Sequence, residues 1–325
     1  MAPMSVIKGP LFGGYAIASE HPARPDGNET HAAGIYKLLP EVIRQMGEIG
    51  YACVEHAPFI DGRALEPTIS CADLADIHYA TRESGCGISG LHWILSHLDK
   101  VVPQQNNLSI FAAHSEDEIH TVAYYMRLID YACALGGTYL VHGSPASRRK
   151  PDDLSLEQAM KKAIDFFVTP FHYRQRTQSI LNYASKHGIR IGFEPLAPNE
   201  TNFINTVTEG LILAEKINHP SFGITIDVKA MAAEERPVHK TIASLDGHKD
   251  SIVAVHFNDP TLVGPGRAGK ESLDFHHVMD SLAQIGWREM ITVEPFKLPP
   301  DEKSYTEDSK KILEYLLKVE KEVYD

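Results

Sequence analysis

Cysteine is scarce in this sequence, and its spacing matches neither a disulfide framework nor a thiolate metal site. The four cysteines, Cys53, Cys71, Cys86 and Cys133, form no Cys-x-x-Cys pair. Metal and redox sites built from cysteine need that close spacing, and small disulfide scaffolds need a higher density of cysteine. The pattern therefore predicts reduced, mostly buried thiols in a cytosolic protein.

Long apolar runs and excess positive charge are also missing. No stretch approaches the roughly 20 apolar residues of a membrane-spanning helix, and residues 1–10 contain no apolar signal-peptide core. The chain has 31 Lys and Arg residues against 43 Asp and Glu residues, a formal net charge of −12. This balance argues against nucleic acid and membrane as partners, and leaves small neutral or cationic ligands open. We therefore expect a cytoplasmic location.

The apolar residues that are present, 43% of the 325, fall into short runs. Eight such runs, each followed by a helical pattern, predict a parallel sheet covered by helices. The number of repeats, and the lack of a Gly-x-Gly-x-x-Gly motif after the first run, favour an α/β fold of the (β/α)8 TIM barrel type over an open sheet. The predicted strands are Pro10–Ile17, Tyr51–Glu55, Gly87–His92, Thr138–His142, Ile189–Glu194, Phe222–Asp227, Ile252–Phe257 and Met290–Glu294.

The length suits one barrel domain over residues 1–325. Capping-box patterns at Ser115, Ser155 and Thr206 predict three helix starts, because each is followed three residues later by Glu or Gln. A charged amphipathic helix over residues 305–323 is expected to close the outer ring of the barrel.

Four of the predicted strands end in a residue that can bind a metal. These residues are Glu194, Asp227, His256 and Glu294. About one strand-plus-helix repeat separates each from the next, so a barrel places all four at one edge. Three carboxylates buried together are costly unless a cation compensates them. We therefore predict one divalent metal ion. Three oxygen ligands and one nitrogen ligand favour Mn²⁺ or Mg²⁺, with Co²⁺, Fe²⁺ and Zn²⁺ as alternatives.

The second half of the chain resembles the xylose-isomerase-like TIM barrels, and within them the ketose 3-epimerase type of sugar phosphate isomerases and epimerases. The first half is similar to them only in its strand–helix rhythm. The motifs that carry the resemblance are Gly192-Phe-Glu194-Pro with Asn199 and Glu200, Ile226-Asp227, His256-Phe-Asn-Asp259, Pro265-Gly266 and Val293-Glu294-Pro.

The resemblance implies a ligand set and a chemistry. It implies that Glu194, Asp227, His256 and Glu294 bind the metal, and that Glu194 and Glu294 also form the catalytic acid/base pair. One glutamate would remove a proton alpha to a carbonyl, and the other would return a proton to a metal-bound enediolate. The expected function is a metal-dependent isomerase or epimerase with a small-molecule carbohydrate substrate.

Two positions depart from the family pattern. The family histidine three residues after the aspartate ligand is here Ala230, and the family arginine six residues after the histidine ligand is here Leu262. Because both family side chains hold substrate hydroxyls, their loss favours a bulkier, differently oxidised or less polar substrate than a simple ketohexose.

Other residues near the predicted strand ends are candidates for catalysis or substrate binding. Lys229 is expected to hold a substrate oxygen or to act as an acid/base with a lowered pKa, unless it is a surface lysine. His92 and His142 end strands, and a histidine at a barrel mouth is expected to bind substrate, although a core histidine is the alternative. The resemblance implies that Glu200 and Asn199 contact either the substrate or the ligand side chains, and Asn258, which lies beside His256, is expected to bind substrate.

Weaker expectations concern the surroundings of the site. Asp259 is expected to orient the imidazole ligand. Glu55 and His56 end the second strand, and Trp93 is expected either to stack on a sugar or to pack in the core. The basic run of residues 148–150 is expected to be solvated, with phosphate binding as the alternative.

Several functions stay open on the sequence alone. A lyase or dehydratase acting on a keto-sugar or keto-glycoside would share the first proton abstraction. A relative of apurinic endonucleases would need additional His and Asp ligands and a basic groove, which the net charge disfavours. Non-enzymatic sugar binding would not require an acid/base pair. A homo-oligomer is compatible with the sequence.

Overall fold

Eight parallel strands close into a barrel, which confirms the predicted (β/α)8 fold. The structure is a computed structural model that describes residues 12–17, 32–58, 69–95, 108–112, 115–173, 176–269, 272–297, 299 and 302–324. The barrel strands are β1 (Phe12–Ile17), β2 (Cys53–His56), β3 (Gly87–Leu91), β4 (Tyr139–His142), β7 (Arg190–Phe193), β8 (Phe222–Asp227), β9 (Ile252–Phe257) and β10 (Ile291–Val293).

The strands are arranged around the barrel in their chain order. β1 pairs with β2 and β10, β4 pairs with β3 and β7, and every neighbouring pair is parallel. The predicted bounds of β8 and β9 match residue for residue, and the other predicted strands differ by one or two residues at their ends. Residues 10 and 11 of the first predicted strand lie outside the described residues. Parallel pairing brings all the carboxyl ends to one edge.

Helices follow the strands and cover the barrel. They are α1 (Ala32–Ile49), α2 (Cys71–Ser84), α3 (Ser115–Leu135), α4 (Leu156–Val168), α5 (Ile180–Lys186), α6 (Val207–Ile217), α7 (Val228–Met231), α8 (Val238–Ala243), α9 (Phe275–Gln284) and α10 (Glu302–Tyr324). Capping boxes are present at Ser155 and Thr206, as predicted. The side chain of Ser115 lies outside the described part of the chain. Across the described ranges, the helices are too short or too polar to span a lipid bilayer.

A polar hairpin between α4 and α5 was not predicted. Its strands, β5 (Phe171–Tyr173) and β6 (Arg176–Gln178), pair antiparallel and are separate from the barrel. Most of their side chains are partly or fully exposed, so these short segments lack the apolar run by which the other strands are identified.

The main core lies between the barrel and its helices. Phe167 of α4 packs on Phe222 of β8, with ring centroids 5.0 Å apart. The C-terminal helix α10, predicted over residues 305–323, buries Tyr305, Ile312 and Leu316 in the same core. The helix layer therefore holds the strands in place and leaves their carboxyl ends to carry the site.

Candidate active site

The four predicted metal ligands meet at the carboxyl edge of the barrel. Asp227 ends β8, His256 lies in β9, and Glu194 and Glu294 directly follow β7 and β10. All four side chains are buried, and their potential ligand atoms lie within 4.8 Å of one another. Because the strands are parallel and adjacent, residues far apart in the chain converge on one point. We call these four residues the quartet.

The donor atoms of the quartet fit a divalent metal. His256 Nδ1 lies 3.2 Å from Glu194 Oε1 and 3.4 Å from Glu294 Oε2. Neither His256 Nδ1 nor Glu194 Oε1 has a hydrogen bond of good geometry among the described residues, although both are buried. A cation between these atoms would satisfy both and would offset the three carboxylates. Three carboxylates and an imidazole suit Mn²⁺ or Mg²⁺, as well as Fe²⁺, Co²⁺ or Zn²⁺.

The electrostatics of the protein alone show strong coupling inside the quartet. Burial raises the pKa of Asp227 to about 7, and repulsion from Glu194 and Glu294 adds to the effect. Burial also acts to raise the pKa of Glu294, but attraction to His256 and His92 overcomes it and holds that pKa well below its usual range. Like charges this close cannot all ionise without a compensating cation.

A fully buried carboxylate lies behind the imidazole of the quartet. Glu55 Oε1 is 3.0 Å from His256 Nε2, on the side of the ring away from the other ligands. The pKa of Glu55 is lowered, because attraction to His256 overcomes the opposing effect of burial. The sequence offered only a weak signal for Glu55, a single carboxylate at the end of a short apolar strand.

Asp259 does not orient the imidazole, so that expectation is wrong. Its carboxylate accepts hydrogen bonds from the backbone N–H and hydroxyl of Thr261 at 2.9 and 2.6 Å. It also accepts from the Ser272 hydroxyl at 2.7 Å and the Leu273 N–H at 3.0 Å. Asp259 therefore holds together the loop that follows β9, and all of its donors are local in sequence.

Asn258 holds two ligands of the quartet. Its side-chain nitrogen donates to Asp227 Oδ2 at 2.9 Å and to Glu294 Oε2 at 3.2 Å, and its oxygen accepts from the Lys229 N–H at 2.9 Å. The amide is fully buried and its donors and acceptor are used within the protein. Its side chain orients two carboxylates of the quartet and is shut off from the cavity, and the substrate contact expected from the sequence stays a prediction.

The two predicted histidines at strand ends occupy different layers. His92 is buried beside the quartet, with Nδ1 3.2 Å from Glu294 Oε1. His142 points toward the helices, where it stacks on Phe193 with ring centroids 4.9 Å apart and contacts the Tyr125 hydroxyl. Burial, together with the nearby Arg148, lowers the pKa of His142 well below its usual value. The structure therefore brings His92 to the quartet and leaves the neutral imidazole of His142 in the core.

Lys229 lies at the site rather than on the open surface. Its Nζ is 3.0 Å from Glu200 Oε1 and 4.5 Å from the ring centroid of Phe296. Burial acts to lower the pKa of Lys229, but Asp227 and Glu200 outweigh burial and raise it above its usual value. The expectation of a lowered pKa is therefore wrong, and Lys229 is a charged donor, not a base at neutral pH.

An open cavity of about 370 Å³ lies against the quartet. Glu194, Asp227 and Glu294 form part of its lining, as do Glu200 and Lys229. Its larger apolar lining residues are Trp93, Leu95, Pro145, Leu196 and Phe296. A larger cavity, of about 790 Å³, lies among the beginnings of the strands, at the end of the barrel away from this cluster. The cavity at the quartet is therefore the one suited to chemistry on a small polar molecule.

The apolar wall of this cavity includes Trp93. Its ring stacks on Phe296 with centroids 5.9 Å apart and an interplanar angle of 25°. The backbone of Trp93 has φ of 49°, in the left-handed region that bulky residues rarely adopt. Trp93 thus packs on Phe296 and also lines the cavity, and its stacking on a sugar stays a prediction.

The two positions that depart from the family motifs act through their backbone. The Ala230 N–H donates to Asp227 Oδ1 at 2.7 Å and so helps to orient that carboxylate. The Leu262 carbonyl accepts from the N–H groups of Phe296 and Lys297 at 2.9 and 2.7 Å, which ties together the loops after β9 and β10. Neither residue offers a polar side chain to the cavity.

The side chain of Arg148 has an environment that differs from the one predicted from the sequence. It was expected to be solvated with the rest of its basic run, but its side chain is fully buried. Its Nη1 donates to the carbonyl of His142 at 3.3 Å and also to the carbonyl of Glu194. The guanidinium lies 4.7 Å from the Phe193 ring. A run of three basic residues contains no signal that distinguishes the buried one.

The fold is a (β/α)8 TIM barrel, and the chain belongs to the xylose isomerase-like TIM barrel family, whose model matches residues 43–316. The L-ribulose 3-epimerase of Methylomonas sp. (strain DH-1) is 31% identical over 119 residues, 37% of this chain and 40% of that protein. The ketose 3-epimerase of Arthrobacter globiformis is 28% identical over 117 residues, 36% of this chain and 38% of that protein. The matched stretches thus span about two fifths of the length of these curated relatives.

Similarity to solved structures extends over nearly the whole chain. The D-psicose 3-epimerase from Clostridium cellulolyticum H10, solved with D-tagatose, superposes with a TM-score of 0.72 at 15% identity. The superposition covers 95% of this chain and 99% of that one. At this level of identity the comparison establishes the barrel fold.

Proposed function

We propose that the protein is a divalent-metal-dependent isomerase or epimerase of a sugar or sugar derivative, working by proton transfer alpha to a carbonyl. The observation that carries the proposal is the quartet of three carboxylates and one imidazole, buried beneath an open cavity. Membership of the xylose isomerase-like family and similarity to L-ribulose and ketose 3-epimerases support a carbohydrate substrate.

Glu194, Asp227, His256 and Glu294 would hold one ion, with Mn²⁺ or Mg²⁺ favoured by the oxygen-rich donor set. When bound, the ion supplies Lewis-acid polarisation of a substrate carbonyl. Several basic partners could also compensate three buried carboxylates. The described residues that line the cavity do not supply them, because their lysine, Lys229, is already paired with Glu200.

Glu194 and Glu294 would move the protons. Both carboxylates line the cavity, and they reach it from β7 and β10, which are separated by two strands of the barrel. One glutamate removes the proton alpha to the carbonyl, and the other returns a proton to the opposite face of that carbon. Asn258 and His92 hold the Glu294 carboxylate in place through the contacts at 3.2 Å that each makes with it.

Lys229 and Glu200 would hold substrate hydroxyls. They present a charged donor and a charged acceptor side by side, 3.0 Å apart, at the wall of the cavity. Trp93 and Phe296 offer an apolar face on which the carbon skeleton of a sugar, or a less polar substituent on it, would lie. This assigns Lys229 to substrate binding and leaves the acid/base work to the two glutamates.

Hydrogen exchange in D₂O tests the proposal. Metal-loaded protein is incubated with L-ribulose, D-psicose, D-tagatose and a set of keto-glycosides, and the products are followed by NMR. We expect deuterium beside the carbonyl together with a new isomer or epimer, and loss of both after chelation. Release of water or of an aglycone, without a new epimer, would instead identify a lyase. No exchange with any compound would contradict the proposal.

Glu294→Gln tests the acid/base role within the same experiment. The variant should lower the exchange rate by about 10²–10⁴-fold, the usual contribution of a general acid or base. Glu289→Gln is the matched control, because Glu289 is exposed and lies just before the start of the same strand. If Glu294→Gln keeps its metal and most of its exchange rate, the two-glutamate mechanism is wrong.

A further inference from the structure

Glu55 contacts the imidazole of the quartet from behind, and the two ring nitrogens of His256 therefore have different surroundings. Nε2 is 3.0 Å from Glu55 Oε1. Nδ1 faces Glu194 and Glu294, at 3.2 and 3.4 Å from their nearest oxygens. A metal held by the quartet would be bound through Nδ1, so Nε2 is the nitrogen left to carry a hydrogen.

The second oxygen of Glu55 is also held. Oε2 accepts from the Tyr139 hydroxyl at 2.6 Å and from the Thr292 hydroxyl at 3.0 Å. The Tyr139 hydroxyl is in turn 3.1 Å from Ser89 Oγ. Glu55 has no exposed surface and is not part of the cavity lining. A carboxylate fixed at both oxygens and shut off from the cavity cannot act on substrate, but it can orient the ring beside it.

We propose that Glu55 is the positioning residue that fixes the tautomer and orientation of His256, so that Nε2–H donates to Glu55 and Nδ1 is free to bind the metal. Carboxylate partners of this kind orient ligand histidines and make them more basic, and losing one typically costs about 10–100-fold in metal affinity. The inference rests on the proposed metal site. It goes further by assigning a role to a residue that touches neither ion nor substrate.

The chain contains a matched control for this role. Asp259 is a second fully buried carboxylate, three residues after His256 in sequence, and it also accepts several hydrogen bonds. Its partners are Thr261, Ser272 and Leu273, and none of them is a quartet residue. Replacing each carboxylate by its amide therefore separates the loss of a buried charge from the loss of the contact with His256.

Binding of Mn²⁺ measures the effect without relying on turnover. Free Mn²⁺ is followed by electron paramagnetic resonance during titration of the wild type, Glu55→Gln and Asp259→Asn. We expect Glu55→Gln to weaken Mn²⁺ binding by about 10–100-fold and Asp259→Asn to bind as the wild type does. Tyr139→Phe, which removes one donor to Glu55, should give a smaller loss in the same direction.

A second measurement detects the tautomer itself. In Zn²⁺-loaded protein labelled with ¹⁵N-histidine, the Nε2 proton of His256 should appear far downfield because it is bonded to a carboxylate. That signal should move upfield or disappear in Glu55→Gln and stay in place in Asp259→Asn. A role confined to folding would alter the melting temperature but not produce this pattern.

The outcomes separate the inference from the proposed function. A wild-type protein that binds neither Mn²⁺ nor Zn²⁺ would refute the metal site on which both depend. Normal binding by the wild type together with unchanged affinity and an unchanged proton signal in Glu55→Gln would overturn the role of Glu55 alone. If Glu55→Gln does not fold, Tyr139→Phe decides, and wild-type Mn²⁺ affinity in that variant would overturn the inference.

Discussion

At the scale of single residues, Gly143 determines where the carboxylate of Glu194 can lie. A Cβ atom at this position would overlap Glu194 Oε2 and come within 3.0 Å of its Cδ. Gly143 is not among the glycines with positive φ, so its backbone conformation is open to other residues. The Glu194 carboxylate therefore requires a glycine at this position, and the His-Gly-Ser turn brings the backbone close to the quartet.

Gly143→Ala should impair the site while leaving the fold intact. The obstructed atom is at the end of a flexible side chain, so Glu194 can move aside at little cost in folding free energy, but it then leaves the quartet. Misplacement by about 1 Å can cost on the order of 10²-fold in rate. We expect turnover and metal affinity to fall strongly, with a near wild-type melting temperature.

Gly87→Ala is the control for that substitution. A Cβ at Gly87 would meet Thr81 Cγ2 at 3.7 Å, an ordinary contact. Both variants should melt at similar temperatures, and only Gly143→Ala should lose metal in a chelator competition assay. Full metal affinity in Gly143→Ala would mean that Glu194 does not bind the ion through the position seen here.

At the scale of structural elements, Arg148 ties the loop after β4 to the end of β7. It lies in a short 3-10 turn, Ala146–Arg148, and its Nη1 donates to the carbonyls of His142 and Glu194. Burial lowers the pKa of Arg148 to about 10, so the guanidinium is still charged at neutral pH. These two hydrogen bonds fix the backbone of Glu194, a residue that would both bind metal and move a proton.

Arg148→Met should therefore destabilise the protein and reduce turnover, because the buried Glu194 carbonyl loses the donor described for it, and the His142 carbonyl keeps only the Glu194 N–H at 3.3 Å. A buried polar group left unsatisfied costs about 1–3 kcal/mol, which a urea unfolding experiment would detect as a lower midpoint. Arg149→Met is the control, since Arg149 is exposed and its guanidinium donates to one backbone carbonyl of the described residues, that of Glu200, at 3.2 Å. Its effect should stay within about 0.5 kcal/mol. Equal, small effects in both variants would restore the interpretation of a solvated basic run.

At the scale of the whole molecule, the exposure of the four cysteine thiols differs with their place in the helices and strands around the barrel. All four are free thiols. Cys71 and Cys133 are exposed on helices, whereas Cys86 is buried just before β3. Burial, with a contribution from the nearby Cys53, raises the pKa of Cys86 to about 12. Burial also raises the pKa of Cys53.

Thiol labelling at mild alkaline pH should therefore distinguish the two exposed cysteines from the buried Cys86. The thiolate is the reactive form, so a raised pKa slows labelling at any pH below it, and labelling speeds up as the pH rises toward that pKa. With a chromogenic disulfide reagent at about pH 8, close to the pKa of an ordinary thiol, Cys71 and Cys133 should react quickly. Cys86 should react only after unfolding, when mass spectrometry of the peptides should find all four labelled. Rapid labelling of Cys86 in the folded protein would contradict this packing.

Part of the architecture could be predicted from the apolar runs of the sequence and their spacing. The eight apolar runs predict the eight barrel strands because parallel strands buried on both faces need apolar side chains on both sides. The regular repeat then predicts that Glu194, Asp227, His256 and Glu294 share an edge, because each lies at or next to the carboxyl end of its strand. The domain organisation and the oligomeric state stay predictions.

The contacts that cross the barrel could not be predicted from the apolar runs and their spacing along the chain. His92 and His142 both stand at strand ends, yet one meets Glu294 and the other packs against Phe193. In a strand the facing of a side chain alternates with each residue, so one position of register decides between the site and the core. A terminal histidine in a short run does not reveal that register.

The contacts of buried polar side chains could not be predicted from the sequence either, as Glu55, Asp259 and Arg148 show. Sequence proximity to His256 favoured Asp259 as its partner, but the partner is Glu55, 201 residues away in the chain. The order of strands and ligands is determined along the chain, where hydrophobic runs and their spacing are visible. The partner of each buried polar group is decided across the closed barrel, because it depends on which side chains fold into the same water-free space and must satisfy one another there.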